Sequence, residues 1–157
     1  MAPRIHLFLL GDGPLRRQLE QMADRLGVTD RVTFAGFRND VSEVLKACDV
    51  YVHSTTCDGF GLAACEAMAA GLPVIASDVP GLAQVVAGAG IVTPVGDHVS
   101  MARELNALAE SAEKRASMSK ASRQRSRDFS IEKTVDSYIQ MYEAVLQSSA
   151  RQAGVMA

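Results

Sequence analysis

The chain has 157 residues, a formal net charge of −2 and 48% hydrophobic residues, which suits one compact domain with a real core and gives no global sign of a nucleic-acid partner. No apolar run approaches the roughly 20 residues that cross a bilayer, and no signal-peptide pattern opens the chain. Its three cysteines lack paired spacing, which fits reduced thiols in a cytoplasmic protein better than disulfides or a zinc site.

Met1-Ala2-Pro3 leads almost directly into the first strand, an abrupt start that reads as the boundary of a fragment. Ile5–Leu10 is a continuous apolar run, read as a buried strand. Gly11-Asp12-Gly13-Pro14 turns it into a helix, with Pro14 suited to the first helical position. Arg16 stands where a dinucleotide fingerprint needs its third glycine, so this turn is not one. The helix should run from about Pro14 to Leu26, with Leu15, Leu19, Met22, Ala23 and Leu26 on one face. Arg31–Phe34 reads as a second, short strand, followed by the loop Gly36-Phe37-Arg38. A helix over about Val41–Ala47 leads to a third strand, Asp49–His53. A lone histidine such as His53 is most often a hydrogen-bonded structural group, and His6 and His98 form no metal-binding spacing with it.

The most informative stretch is Cys57–Ser77. Asp58-Gly59 is a turn signal, Leu62–Ala70 consists of good helix formers or small residues, and Gly71 with Pro73 supplies the stop. Pro73–Ala76 is a short apolar run suited to a parallel strand covered on both faces. Glu66 is the only charged residue between Leu62 and Ala76. In a helix that is apolar nearly all round it should be buried and partnered. The backbone N–H groups of Phe60, Gly61 and Leu62, at the positive end of the helix dipole, form a natural seat for phosphate. Glu66 could accept hydrogen bonds from ribose or sugar hydroxyls, and Asp58 could place a second carboxylate at the same mouth. On spacing alone an equal alternative stands: Asp58 merely starts a turn, and Glu66 meets a buried arginine or a water.

The full string Asp58-Gly59-Phe60-Gly61-Leu62, Glu66-Ala67-Met68-Ala69, Gly71, Pro73-Val74-Ile75-Ala76-Ser77 resembles the donor-binding signature of retaining glycosyltransferases of the two-Rossmann-domain (GT-B) type, group 1 (GT4), the family of glycogen synthases and mannosyltransferases. The likeness extends from about Leu7 to Leu146. It implies the half of the enzyme that grips a nucleotide-sugar. Glu66 would bond the ribose hydroxyls, and the Phe60–Leu62 amides, with Gly59, would hold the diphosphate and adjoining sugar. Asp58 would meet a sugar hydroxyl and assist the departing oxocarbenium-like species. It further implies donor contacts from Gly11, from Phe37 and Arg38 beside the nucleobase, and from His53. The scheme asks for no metal and no cofactor besides the nucleotide-sugar substrate. Two departures stand out: Asp58 occupies a position where glutamate is usual, and the family's Arg and Lys for the diphosphate would lie upstream of Met1, as would its acceptor domain and first strand.

Asp78-Val79-Pro80-Gly81 should turn into a short helix ending near Ala87, and Ile91–Thr93 is the fifth strand, closed by Pro94. Helices fill the rest. Six basic residues between Lys114 and Arg127 read as a solvated helix, with an anionic membrane surface as the less favoured alternative. The last helix, about Ile131–Gln147, carries Val135, Ile139, Tyr142 and Leu146 on one stripe, and residues 149–157 read as a flexible tail. The expected architecture is therefore a doubly wound α/β domain over residues 1–148, with five parallel strands and a helical C-terminal segment. With the family's first strand missing, Ile5–Leu10 would pair directly with Asp49–His53, or a strand from another chain would fill the gap in a swapped homodimer. Three functions fit: a donor-binding half that is inactive alone, one subunit of a split glycosyltransferase, or a non-catalytic nucleotide or sugar-nucleotide binding module. A sugar-nucleotide epimerase of similar fold fits less well, since its acidic and histidine pattern is missing.

Overall fold

The computed structural model describes residues 5–155, with side chains described as far as Gln147. In chain order the elements are β1 (Leu7–Leu10), α1 (Arg16–Arg25), β2 (Val32–Gly36), α2 (Val41–Lys46), β3 (Tyr51–His53), α3 (Leu62–Ala70), β4 (Val74–Ser77), α4 (Pro80–Val86), β5 (Ile91–Thr93), α5 (His98–Glu110), α6 (Ala112–Ser126) and α7 (Ile131–Val155). The expected α/β alternation is present, with five parallel strands and a helical end. α7 continues to Val155 through the segment expected as a tail, where Ala150, Arg151, Gln152 and Ala153 are good helix formers.

The strands form two ladders, β1–β2 and β3–β4–β5. The direct pairing of β1 with β3 that would close a single sheet is not made. The reason lies in the core. Its buried cluster starts at Leu45 and is built from α2, α3, β4, α4 and the chain around them, with no residue from β1, α1 or β2. Thus, among the described residues, the buried cluster includes nothing from the β1–α1–β2 unit that would draw it onto the larger sheet. On α1 only Ala23 is buried, while Leu15, Leu19, Met22 and Leu26 of its apolar face are exposed. The stripe on α7 is likewise open, with Val135, Ile139 and Tyr142 exposed.

The larger unit is organised around α3 and β4. Every residue of β4 is buried, as expected of a central strand covered on both faces. Helix α3 is rich in alanine, so α6 can pack closely against it. It is not buried all round, however. Ala64, Cys65, Ala67 and Met68 face inward, whereas Leu62, Ala63, Glu66 and Ala69 are exposed.

The basic run does more than solvate a helix. Arg115 donates to the carbonyls of Leu108 and Ala109 at 2.6 and 3.0 Å, satisfying the last turn of α5. Arg125 donates to Val85 and Gln84 at 3.1 and 2.7 Å, at the end of α4. It also bonds Asp128 and lies 4.8 Å from the centre of the Phe129 ring. Helix C-termini leave carbonyls without intrahelical partners, and cations there also suit the helix dipole. Burial of these side chains is partial, so each contact adds modestly, but together they fasten α6 to two neighbouring helices. Replacing Arg125 with methionine should lower unfolding free energy by about 2 kcal/mol, in the range for lost hydrogen bonds to a charged group. Lysine should not restore it, because one ammonium cannot span two carbonyls, a carboxylate and a ring face. Urea unfolding of the two variants checks this, and a change below about 0.5 kcal/mol, the size of an ordinary surface substitution, would contradict it.

Candidate functional site

Parallel strands present their carboxyl ends on one side of a sheet, and the loops there commonly bind ligands. In the larger sheet that side carries the Ser54–Gly61 loop after β3 and the Asp78–Val79 connection after β4. The loop is held at several points. Thr55 N–H donates to Ser77 Oγ at 3.1 Å, tying it to the end of β4. Thr55 Oγ1 donates to the Cys57 carbonyl at 2.8 Å and accepts from Cys57 N–H at 3.2 Å. Gly61 adopts φ +87° just before α3, a conformation that glycine tolerates best. A Cβ at Gly81 would meet the Gly59 carbonyl oxygen at 2.5 Å and that of Asp58 at 2.9 Å, so the loop backbone rests directly on the start of α4.

Asp58 turns into this loop. Its Oδ1 accepts from Phe60 N–H at 2.9 Å and Gly61 N–H at 2.6 Å, and its Oδ2 lies 3.2 Å from His53 Nε2. Two of the three amides expected to be free for a ligand are therefore taken by Asp58 itself. The shorter side chain explains this, since an aspartate reaches its own backbone two and three residues on. Leu62 N–H remains without a hydrogen-bond partner among the described residues, as does Ala63 N–H in the same first turn.

Glu66 was expected to be buried with a partner. It is exposed instead, and no hydrogen bond or ion pair engages it among the described residues. It lines a groove of about 390 Å³ between α2 and α3, with Val41, Ser42, Leu45, Lys46, Ala69 and Ala70. Tyr51 lies in the field of both acids. Burial pushes its phenol up, and the negative charges of Glu66 and Asp58 push it further the same way. Sequence reasoning gave Tyr51 no role, although a polar aromatic in a short strand ahead of an acidic loop was a usable signal. It also missed Ser77 as a loop anchor and Gly81 as the surface on which the loop sits.

The remaining candidates lie on the smaller ladder. Gly11 bridges to Gly36, donating its N–H to the Gly36 carbonyl at 2.8 Å. Phe37 is 81% exposed. Arg38 pairs with Asp40, which holds that carboxyl below the usual carboxylate range. Among the described residues no hydrogen bond or ion pair joins Gly11, Phe37 or Arg38 to the Asp58 loop. The structure thus brings together His53, Asp58, Phe60 and Gly61 directly, with Gly59 and Leu62 in the same loop-to-helix stretch, places Glu66 one turn further along α3, and leaves Gly11, Phe37 and Arg38 apart. No group of three or more His, Cys, Asp or Glu among the described residues is placed to hold a metal ion.

Comparison with known proteins adds an independent line. The family model for glycosyl transferases group 1 matches residues 1–125. Similar curated proteins include the putative glycosyltransferase EpsD of Bacillus subtilis (strain 168), 28% identical over 98% of this chain and 41% of its own length. The lipopolysaccharide core biosynthesis glycosyltransferase LpsD of Rhizobium meliloti (strain 1021) is 32% identical, covering 88% of this chain and 41% of its own length. Among solved structures, Anabaena Alr3699/HepE in complex with UDP superposes with a TM-score of 0.84 at 28% identity, over 89% of this chain and 41% of that one. The chain thus spans about two fifths of the length of these relatives.

The contact at Gly81 generates a sharp expectation. Gly81→Ala should push the Asp58–Gly61 turn away from α4 and destabilise the fold by about 1–3 kcal/mol, the range for overpacking against a backbone that cannot yield. Gly88→Ala is less suitable as a control because of its positive φ, whereas Gly59→Ala, where an added Cβ meets nothing within 4 Å, should be nearly neutral. Thermal unfolding of the two variants checks the difference, and equal midpoints would show that the loop does not depend on that approach.

Proposed function

The chain belongs to the glycosyl transferases group 1 family, and on that premise we propose that it is the donor-binding half of a retaining glycosyltransferase. In this reading it holds a nucleotide-sugar while an acceptor hydroxyl is brought from a second domain or a partner chain. The observation that carries the proposal is the arrangement around the start of α3. An unengaged carboxylate, Glu66, stands one turn beyond the unpaired amides of Leu62 and Ala63. A diphosphate suits those amides and the positive end of the helix dipole, and Glu66 is then free to accept hydrogen bonds from the ribose diol. Asp58 serves chiefly to hold the turn, and Oδ2, which faces His53, keeps a second lone pair for a sugar hydroxyl.

The retaining course rests on the resemblance of the Asp58–Ser77 string to that enzyme class, as does a scheme without metal. In it, amides and helix dipole balance the charge that develops on the departing diphosphate. A cytoplasmic location belongs to the same reading and rests on the free thiols Cys48, Cys57 and Cys65. Gly11, Phe37 and Arg38 remain proposed contacts to the donor, on the other ladder. A second reading, a non-catalytic nucleotide-sugar binding module, is favoured by one observation: both Asp58 oxygens are already engaged.

Calorimetry with UDP, GDP and ADP and their sugars tests the proposal. The chain should bind one nucleoside diphosphate series weakly, and Glu66→Ala should weaken that binding by about 1.5–3 kcal/mol, the range for hydrogen bonds to a charged group. Equal binding by wild type and mutant would remove Glu66 from the site. The purified chain should transfer no sugar by itself. Turnover with any natural acceptor would show that no second domain or partner chain is required.

A further inference from the structure

His53 closes β3, and its side chain is about four-fifths buried. Its Nε2 lies 3.2 Å from Asp58 Oδ2, while its Nδ1 is buried without a hydrogen-bond partner. The Tyr51 ring stands edge-on to it, with centroids 5.9 Å apart. A carboxylate can only accept, so a hydrogen bond across this contact needs the ring proton on Nε2. The buried Nδ1 is then the bare nitrogen, and the alternative tautomer would bury an N–H with nothing to receive it while facing Asp58 with a lone pair. Nδ1 is closed off from solvent and Nε2 faces Asp58 at 3.2 Å, so neither ring nitrogen is presented freely to a ligand.

From this geometry we infer that His53 is a positioning residue for the site, acting through Asp58 rather than touching the donor. Asp58 has two tasks at opposite oxygens. Oδ1 gathers the amides of Phe60 and Gly61, and Oδ2 is held by the imidazole. Removing the imidazole leaves the carboxylate held through Oδ1 alone, so Oδ2 can swing about those contacts and the turn that sets the first amides of α3 loses its outer anchor. The inference rests on the donor-binding reading for its consequence, but the His53–Asp58 pairing stands on geometry alone. It separates His53 from the ligand contacts expected of the loop and makes it a determinant of how Asp58 is presented.

The test combines two substitutions with two readouts. His53→Gln can place an amide N–H near the position of Nε2, whereas His53→Leu cannot donate; each is made in the wild-type chain and with Asp58→Ala. In long-range nitrogen–proton spectra the wild-type ring should show the tautomer protonated at Nε2, and Asp58→Ala should let the two tautomers mix. In calorimetry with UDP, His53→Leu should weaken binding about three- to tenfold, the worth of roughly one hydrogen bond. His53→Gln should recover most of it. Neither should have a further effect once Asp58 is alanine, because residues acting through one contact are not additive. A wild-type ring protonated at Nδ1 would overturn the pairing. Full additivity of His53→Leu with Asp58→Ala would overturn the indirect role and make His53 a ligand contact, and unchanged UDP binding in His53→Leu would overturn any role. If the wild-type chain binds no UDP or other nucleoside diphosphate, the donor-binding reading fails. The tautomer spectrum and the same mutant cycle read in thermal stability then still decide whether His53 holds Asp58.

Discussion

The site depends on a place where two backbones meet with no side chain between them. The Gly59 carbonyl and the start of α4 come so close at Gly81 that a single methyl group would not fit. That approach determines where the Ser54–Gly61 loop sits, hence where Asp58 points and where the first turn of α3 begins. From there the constraint spreads outward through α3. Its inner face of Ala64, Cys65, Ala67 and Met68 packs into the core, and the absence of bulk along the helix lets α6 lie against it. α6 in turn carries the arginines that satisfy the carbonyl ends of α4 and α5. The loop, the helix behind it and the helix behind that are one mechanical unit, and the loop is its outermost member.

The aromatic contact on the same loop extends this unit. Phe60 meets Phe129 edge-to-face at 5.7 Å between ring centres, and Arg125 lies over the Phe129 ring. An arginine that caps α4 is therefore also part of the surface on which the loop's aromatic residue rests. Such contacts are individually worth about 1 kcal/mol, yet here they join the carboxyl side of β3 to the segment that leads into α7. The described contacts of α7 are mainly with the turn at Arg127–Phe129, which places that turn between α7 and Phe60.

Much of this organisation could be read from the sequence because it rests on local signals. The bounds of α3 follow from the run of small helix formers between Gly61 and Gly71, and β5 from three apolar and β-branched residues closed by a proline. The departures have one cause in common, which is tertiary context. The periodicity of Leu15, Leu19, Met22 and Leu26 identifies a helix face but cannot say whether anything covers it, and in the described residues little does. The partition of five strands into two ladders likewise depends on which elements share a core. At the candidate site, the string around Asp58 marked the loop between β3 and α3, but the direction of a carboxylate is a matter of one torsion angle. That torsion decides whether the Phe60 and Gly61 amides face a ligand or their own aspartate, and no spacing argument reaches it.

The substitution of aspartate for the longer acid has a consequence that follows from side-chain length. A carboxylate with one methylene fewer stays within reach of its own turn, and its two oxygens are met by two amides and an imidazole. Glu66, with the longer side chain and a helical backbone that keeps it clear of its own amides, has no such local partner. The two acids of the motif therefore stand in opposite conditions. One is preorganised and engaged, and the other is open to solvent beside a groove between α2 and α3. A ligand that needs both must displace or share the contacts of the first, whereas a ligand held chiefly by the second meets no competition from the protein. That asymmetry is the physical ground for the proposal that a donor is recognised through Glu66 and the first amides of α3. Asp58 then contributes by keeping the turn in place, and that contribution does not require it to leave its partners.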